Sequence, residues 1–345
     1  MTSLVGIVGA SGYGGAELLR LLAGHPELQV EVVAAHSQAG KPVSSLFPNL
    51  PGTRCFDAID VDQLGELDLV FLATPHGPSL ELAATLHAGG TKVVDLSGAY
   101  RLTAEGFANW YAEVHPHPEL APAVYGMPEF FRKDIAGATL VANPGCYVTS
   151  ALLGLRPLSP LLVPGTVIID GKSGTSGAGR AAKDHLHHPH LTANLGAYGA
   201  PAHRHTGEIE QWLTNDLDGP GTVDLGAVQF TPHLVPMSRG MQTTSYANLR
   251  QGVAAQDVQQ ALAETYADEP FVHVLAPGTF PLTKSVVGSN GCQLSALVDP
   301  RTNRVVITSV IDNLGKGAAG QALQNANLML GLDETLGLSA IGVFP

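Results

Sequence analysis

The chain has 345 residues, a formal net charge of −12, 14% charged side chains and three cysteines, Cys55, Cys146 and Cys292. An acidic chain cannot neutralise phosphates, which excludes nucleic acid as a partner; three cysteines without a CxxC pair exclude a disulfide scaffold and a thiolate zinc site; and no apolar run reaches the roughly 20 residues of a membrane span. The length suits two domains, the opening "MTSLVGIVGASG" carries no secretory signature, and a charge content well below the usual share of about 25% suits subunits that hide surface in an oligomer.

Along the first part, strands alternate with helices: "LVGIV", then the helix "GGAELLRLLAGH", the strands "VEVVAAH" and "LDLVFLAT", the helix "PSLELAATLHAGG" and the strand "KVVDLS". Such alternation predicts parallel βαβ units. Between the first strand and its helix, Gly9, Gly12 and Gly15 form G-x-x-G-x-x-G, which lets backbone approach a pyrophosphate favoured by the helix N-terminus. A dinucleotide is therefore expected on Gly9, Ser11, Gly12, Tyr13, Gly14 and Gly15. The second strand ends in "AAHSQAGK", without the acid that binds a ribose 2′-hydroxyl in NAD sites. Ser37, with Gln38 and Lys41, is expected to face the 2′-phosphate of NADP instead.

Residues 99–135, rich in Pro, aromatic and charged side chains, read as an irregular excursion over the sheet. The strand "ATLVAN" then leads through Asn143-Pro144-Gly145 to Cys146 and the helix "YVTSALLGLRPL", stopped by Pro157 and Pro160. Cys146 has two readings at this point, a packed core thiol or a nucleophile whose thiolate the helix N-terminus stabilises.

Beyond it, "GTVIIDGKS", "VDLGAVQFTPH", "TTSYANLR", "QLSALVD" and "RVVITSVID" predict a mixed or antiparallel sheet, hence a second domain. "SGTSGAGR", from Ser173 to Arg180, is either a loop suited to an anionic group, with amides and a guanidinium fork, or a plain flexible one. "HLHHPH" lacks the carboxylate or Cys spacing of a metal site, so no metal is expected. In "GAPAHRHTGEIEQWL", His203 and His205 precede a helix that Thr206 is expected to cap. A final helix begins near Lys316. The expected domains are 1–145 with 315–345, and 146–314.

Together, "GASGYGGAELLRLL", "VDLSGAYRL", "YGMPE", "NPGCYVTSALL", "SGTSGAGR", "HRHTGEIEQ", "PHLVPMSRGM" and "DNLGKGAAGQALQNANLMLGL" resemble the N-acetyl-γ-glutamyl-phosphate reductase family, in the family's order over nearly the whole chain. The resemblance implies an α/β protein with a Rossmann-type NADP-binding domain and an α/β catalytic and dimerisation domain, similar to glyceraldehyde-3-phosphate and aspartate-semialdehyde dehydrogenases. It implies a cytoplasmic homodimer or homotetramer acting on a small acyl phosphate in arginine biosynthesis. Cys146 is carried over as nucleophile and His205 as acid/base, with Pro75-His76-Gly77 and Asn313 near the nicotinamide. Arg101, Ser173, Arg180 and His203, with Arg239, are the expected substrate contacts. Departures are "DLSGAYRL" for the commoner "DLSADFRL" and Val148 where Pro is usual. The rival readings are a lysine-pathway relative acting on carrier-linked aminoadipyl phosphate, aspartate-semialdehyde dehydrogenase, and a non-catalytic NADP sensor.

Overall fold

The structure, a computed structural model, describes residues 2–214 and 223–344. It divides into two compact units, Met1–Gly145 with Ala318–Leu338, and Cys146–Gly317 with Ser339–Pro345. Residues 315–317 and 339–345, expected with the first unit, group with the second.

In the first unit, β1 (Ser3–Val8), β2 (Leu28–Ala34), β3 (Leu69–Leu72), β4 (Lys92–Asp95), β5 (Val124–Tyr125) and β6 (Leu140–Ala142) form one sheet in the order β2-β1-β3-β4-β6-β5. Every pair is parallel. All four residues of β3 and the last four of β1 are buried, as a sheet covered on both faces requires, and this is why these strands read as unbroken apolar runs. The chain passes from β1 to β2 on one side and then to β3 on the other, so the strand order reverses at β1. Ligands of doubly wound sheets bind beyond the carboxyl ends of the strands at such a reversal. Helices Tyr13–Leu22 and His76–Ala88 begin there, directly after β1 and β3.

The excursion 99–135 is more regular than its composition predicts. It contains the helix Ala104–Tyr111, capped by Thr103, whose Oγ1 accepts from Gly106 N at 3.0 Å. The helix Pro128–Gly137 follows, with Pro at its first position. Both start signals lie in the sequence, hidden by the surrounding prolines. The last helix, Gly320–Met329, belongs to this unit and is pinned by Gln321 Nε2 and Asn325 Nδ2, which donate to Gly126 O at 2.6 and 2.9 Å.

In the second unit, β7 (Ile168–Gly174), β8 (Gly196–Ala197), β9 (Gln229–Val235), β10 (Met241–Asn248), β11 (Val272–Val274), β12 (Cys292–Asp299) and β13 (Arg304–Ile311) form a mixed sheet ordered β11-β12-β13-β10-β7-β9-β8. Along β10, buried and half-buried residues alternate strictly, the signature of a sheet packed on one face. Helix Cys146–Leu155 lies on that face. Its Ser150 Oγ reaches Thr243 Oγ1 at 2.8 Å and Ser309 O at 3.2 Å, tying it to β10 and β13. A helix Ala255–Thr265, which the sequence did not single out, carries Val258 and Leu262 inward at four-residue spacing. Among the described residues no helix is long and apolar enough to cross a membrane.

Candidate active site

The first unit supplies a cradle for a dinucleotide. Gly9 adopts φ +86°, and a Cβ there would lie 2.5 Å from Ala73 O; a Cβ on Gly15 would lie 2.5 Å from Ala10 Cα. These two positions need glycine for the turn and for close packing of helix on strand. Gly14 differs, because a Cβ there would meet nothing within 4 Å. The helix N-cap, Gly12, has no side-chain hydrogen bond and the first turn has no acid, so its amides face no competing anion and fit a pyrophosphate. Ser11 and Tyr13 sit in the same turn, Tyr13 37% exposed.

At the end of β2, Lys41 Nζ donates to Gln38 Oε1 at 3.2 Å and Gln38 Nε2 to Ser37 Oγ at 3.4 Å. The three polar residues expected to face a 2′-phosphate thus form one exposed chain. Pro75 is the N-cap of helix His76–Ala88. His76 packs edge-on against Tyr111, with ring centroids 5.0 Å apart.

In the second unit, Cys146 is the first residue of its helix and partly exposed, whereas the nine that follow, Tyr147 to Leu155, are all buried. That contrast separates the two readings of the thiol: the helix is the core element, and Cys146 is its accessible tip. The nearest neighbour of a Cβ built on Gly317 would be Cys146 Cβ, at 2.8 Å.

Tyr147 brings the two motifs together. Its ring lies 6.1 Å from His203 and 6.0 Å from His205, centroid to centroid, both edge-on. Its hydroxyl donates to His233 O at 2.9 Å. His203 and His205 are themselves 4.8 Å apart, and Phe230 and Tyr198 each stand 5.5 Å from His203. His203 Nδ1 accepts from His205 N at 3.2 Å. Burial, reinforced by the Arg204 charge, pushes His203 down to about 4, so its ring is neutral at neutral pH. Loss of hydration pushes Tyr198 up to about 12 and raises Tyr147 further still, with the charge on Cys146 acting in the same sense on both. The phenols stay protonated and serve as donors.

Around this core, the buried Asp312 carboxylate binds Arg239 through Oδ1 to Nε at 3.2 Å and Oδ2 to Nη2 at 2.9 Å. It also accepts from Gly288 N at 2.6 Å, Leu314 N at 2.9 Å and Gly315 N at 3.3 Å. Asn313 accepts from Gly240 N at 2.9 Å and donates to Ser176 Oγ at 2.8 Å. Its amide therefore joins the Gly-Ser loop to the loop before β10.

The structure adds partners to several expected site residues and corrects one cap. Arg101, expected to face a substrate anion, is only 7% exposed and donates through Nε to Asn143 O and through Nη2 to Leu96 O, both at 2.7 Å. It braces the Asn-Pro-Gly turn. Arg239 pairs with Asp312, as above. Thr206 does not cap: the helix begins at His205, and Thr206 Oγ1 is buried without a partner among the described residues. Ser173 is buried and donates to Gly174 O at 3.0 Å, while Arg180 is exposed. Asp312 and Tyr198 went unnoticed. An acid ending the apolar strand "VVITSVID" was the available signal for the first. Among the described residues no group of three or more His, Cys, Asp or Glu side chains is arranged to hold a metal.

Residues 4–138 match the NAD binding domain of semialdehyde dehydrogenases and residues 146–313 their dimerisation domain. The chain is 48% identical over 346 residues to the N-acetyl-γ-glutamyl-phosphate reductase of Acidithiobacillus ferrooxidans, covering 99% of both chains. It is 46% identical over 348 residues to that of Brevibacillus brevis and 44% over 347 to that of Moorella thermoacetica, again covering 99% of each chain. In fold it is similar to aspartate semialdehyde dehydrogenase II of Vibrio cholerae complexed with ASA, with a TM-score of 0.71 at 17% identity, over 96% of this chain and 99% of that one. The aspartate semialdehyde dehydrogenase of Candida albicans with NADP gives a TM-score of 0.67 at 16% identity, over 96% and 99%.

Proposed function

We propose, from the premise that the chain belongs to the N-acetyl-γ-glutamyl-phosphate reductase family of semialdehyde dehydrogenases, that it reduces N-acetyl-L-glutamyl 5-phosphate to N-acetyl-L-glutamate 5-semialdehyde and phosphate in arginine biosynthesis. The observation that carries this reading is the accessible Cys146 at the tip of a buried helix, with His203 and His205 gathered on its neighbour Tyr147.

The Cys146 thiolate attacks the acyl carbon, the C–S bond forms, and phosphate leaves with the electrons of the broken C–O bond, giving a thioester. The glycine loop from Gly9 to Gly15 would hold NADPH, which when bound would supply the hydride that a thioester needs to reach the aldehyde level. His205 gives a proton to sulfur as the C–S bond breaks and takes one back when the thiolate is regenerated. Backbone N–H groups at the start of the Cys146 helix stabilise the oxyanion formed at each addition. His203, held neutral, orients His205 through its backbone. Arg180, on an exposed loop, is a guanidinium for a substrate anion in this reading, with Ser173 at the base of that loop. Asn313 fixes the same loop.

The Ser37-Gln38-Lys41 chain supports NADP over NAD, since these donors suit a phosphate and none is an acid. The match to a dimerisation domain supports a homodimer or homotetramer, and the biosynthetic role a cytoplasmic one.

The test is the reverse reaction. With N-acetylglutamate semialdehyde, phosphate and NADP, absorbance at the NADPH band rises; with the aminoadipate homologue or without phosphate it stays near background. Absence of phosphate-dependent reduction sinks the reading.

A further inference from the structure

Cys146 does not hold its position by its own helix alone. Residues 315–319 form a π-helical turn between β13 and the last helix, and such turns concentrate at functional sites. Gly317, in its middle, has no positive φ, so its backbone conformation does not require glycine. Space does. A Cβ on Gly317 would stand 2.8 Å from Cys146 Cβ, 3.2 Å from Asp312 O and 3.4 Å from Cys146 Cα, where carbon atoms in contact normally keep 3.5–4.0 Å.

The turn is fixed from behind. Gly317 N donates to Asp312 O at 2.9 Å, and the Asp312 side chain caps the turn through Leu314 N and Gly315 N while gripping Arg239 and Gly288 N. A carboxylate with no exposed surface and this many donors cannot shift without leaving several buried groups unsatisfied.

We propose that Gly317, braced by Asp312, is a positioning residue for the reaction: its bare backbone forms the wall against which Cys146 Cβ rests, and so restricts the directions in which Sγ projects. A side chain at 317 displaces the thiol rather than the turn, because the turn is the better anchored of the two. This deepens the thioester reading and rests on it.

The test is Gly317→Ala, read in two ways. Turnover is expected to fall about a hundredfold, with KM for the acyl phosphate and the affinity for NADPH within about twofold of wild type. Unchanged turnover overturns the proposal. The second reading needs no catalysis. Cys146→Gly removes the atom that the new methyl meets, so Gly317→Ala is expected to lower Tm by roughly 5 °C in the Cys146 protein and by less than half of that in the Cys146→Gly protein. Equal losses in both backgrounds overturn it. If Gly317→Ala alone does not fold, a folded Cys146→Gly/Gly317→Ala double variant supports the contact, and a double variant that also fails to fold overturns it. Substantial reduction of acyl phosphate by Cys146→Ser would instead remove the thioester reading and leave the Tm comparison standing.

Discussion

His203 Nδ1 accepts the backbone N–H of His205, at 3.2 Å. An acceptor at Nδ1 is a ring nitrogen without a proton, and the burial that pushes His203 down to about 4 keeps it so. Two histidines two residues apart therefore have different tasks. One is a fixed neutral prop, and the other is the acid/base of the proposed reaction.

This difference has a pH signature. His203 binds a proton less readily folded than unfolded, where its ordinary value is about 6.5. Between pH 6.5 and about 4 the unfolded chain takes up more protons, so stability falls as pH falls through that window and is insensitive to this group above it. Urea midpoints of His203→Gln should lose part of that acid slope. A slope identical to wild type would show that His203 titrates normally.

Substituting the reacting groups should separate chemistry from binding. Cys146→Ser is expected to lose at least roughly a thousandfold in acyl-phosphate reduction, with NADPH binding by fluorescence near wild type. His205→Asn should reduce turnover by about 10²–10⁴-fold over the neutral range. His203→Gln should keep the wild-type midpoint of the pH–rate profile at lower amplitude.

Asp312→Ala leaves the Arg239 guanidinium and three backbone N–H groups without their buried carboxylate. Removing one partner of a buried pair costs about 3–5 kcal/mol, measurable by denaturant unfolding. A loss below about 1 kcal/mol would mean that the pair behaves as a surface one.

Two adjacent glycines should respond in opposite ways. Gly15→Ala places a Cβ 2.5 Å from Ala10 Cα and should lower Tm, whereas Gly14→Ala meets nothing within 4 Å beyond its chain neighbours and its own helix backbone and should not lower Tm. If the pyrophosphate lies over the helix start, Gly14→Ala weakens NADPH about tenfold. Full affinity without a loss of Tm would put the cofactor elsewhere.

Lys41→Ala should weaken NADPH by about tenfold and leave NADH alone, since only one carries the 2′-phosphate. Equal losses for both cofactors would remove Lys41 from phosphate recognition.

Much of this was legible in the sequence. The buried parallel strands announced themselves as unbroken apolar runs, because burial on two faces leaves that pattern, whereas the alternation of β10 lies in its burial and not in its hydropathy. The helix that begins at Cys146 was legible because its turn and apolar run are contiguous in the chain. The partners of Arg101 and Arg239 were not. A guanidinium reads as solvent- or ligand-facing until its partner is known, and these partners are the carbonyl of Asn143, 42 residues away, and Asp312, 73 residues away. The helices at 104–111 and 128–137 were obscured by prolines that in fact flank or start them. Thr206 was read as a cap because its side chain suits one, whereas the helix starts one residue earlier.

Buried from Tyr147 to Leu155, the Cys146 helix tolerates little drift, while the segment from Gly179 to Asn194 is largely exposed. Heritable variation can therefore accumulate in that segment without disturbing the thiol. A lineage built on this plan can vary that strip of surface, one substitution at a time, while inheriting the buried frame around its cysteine intact.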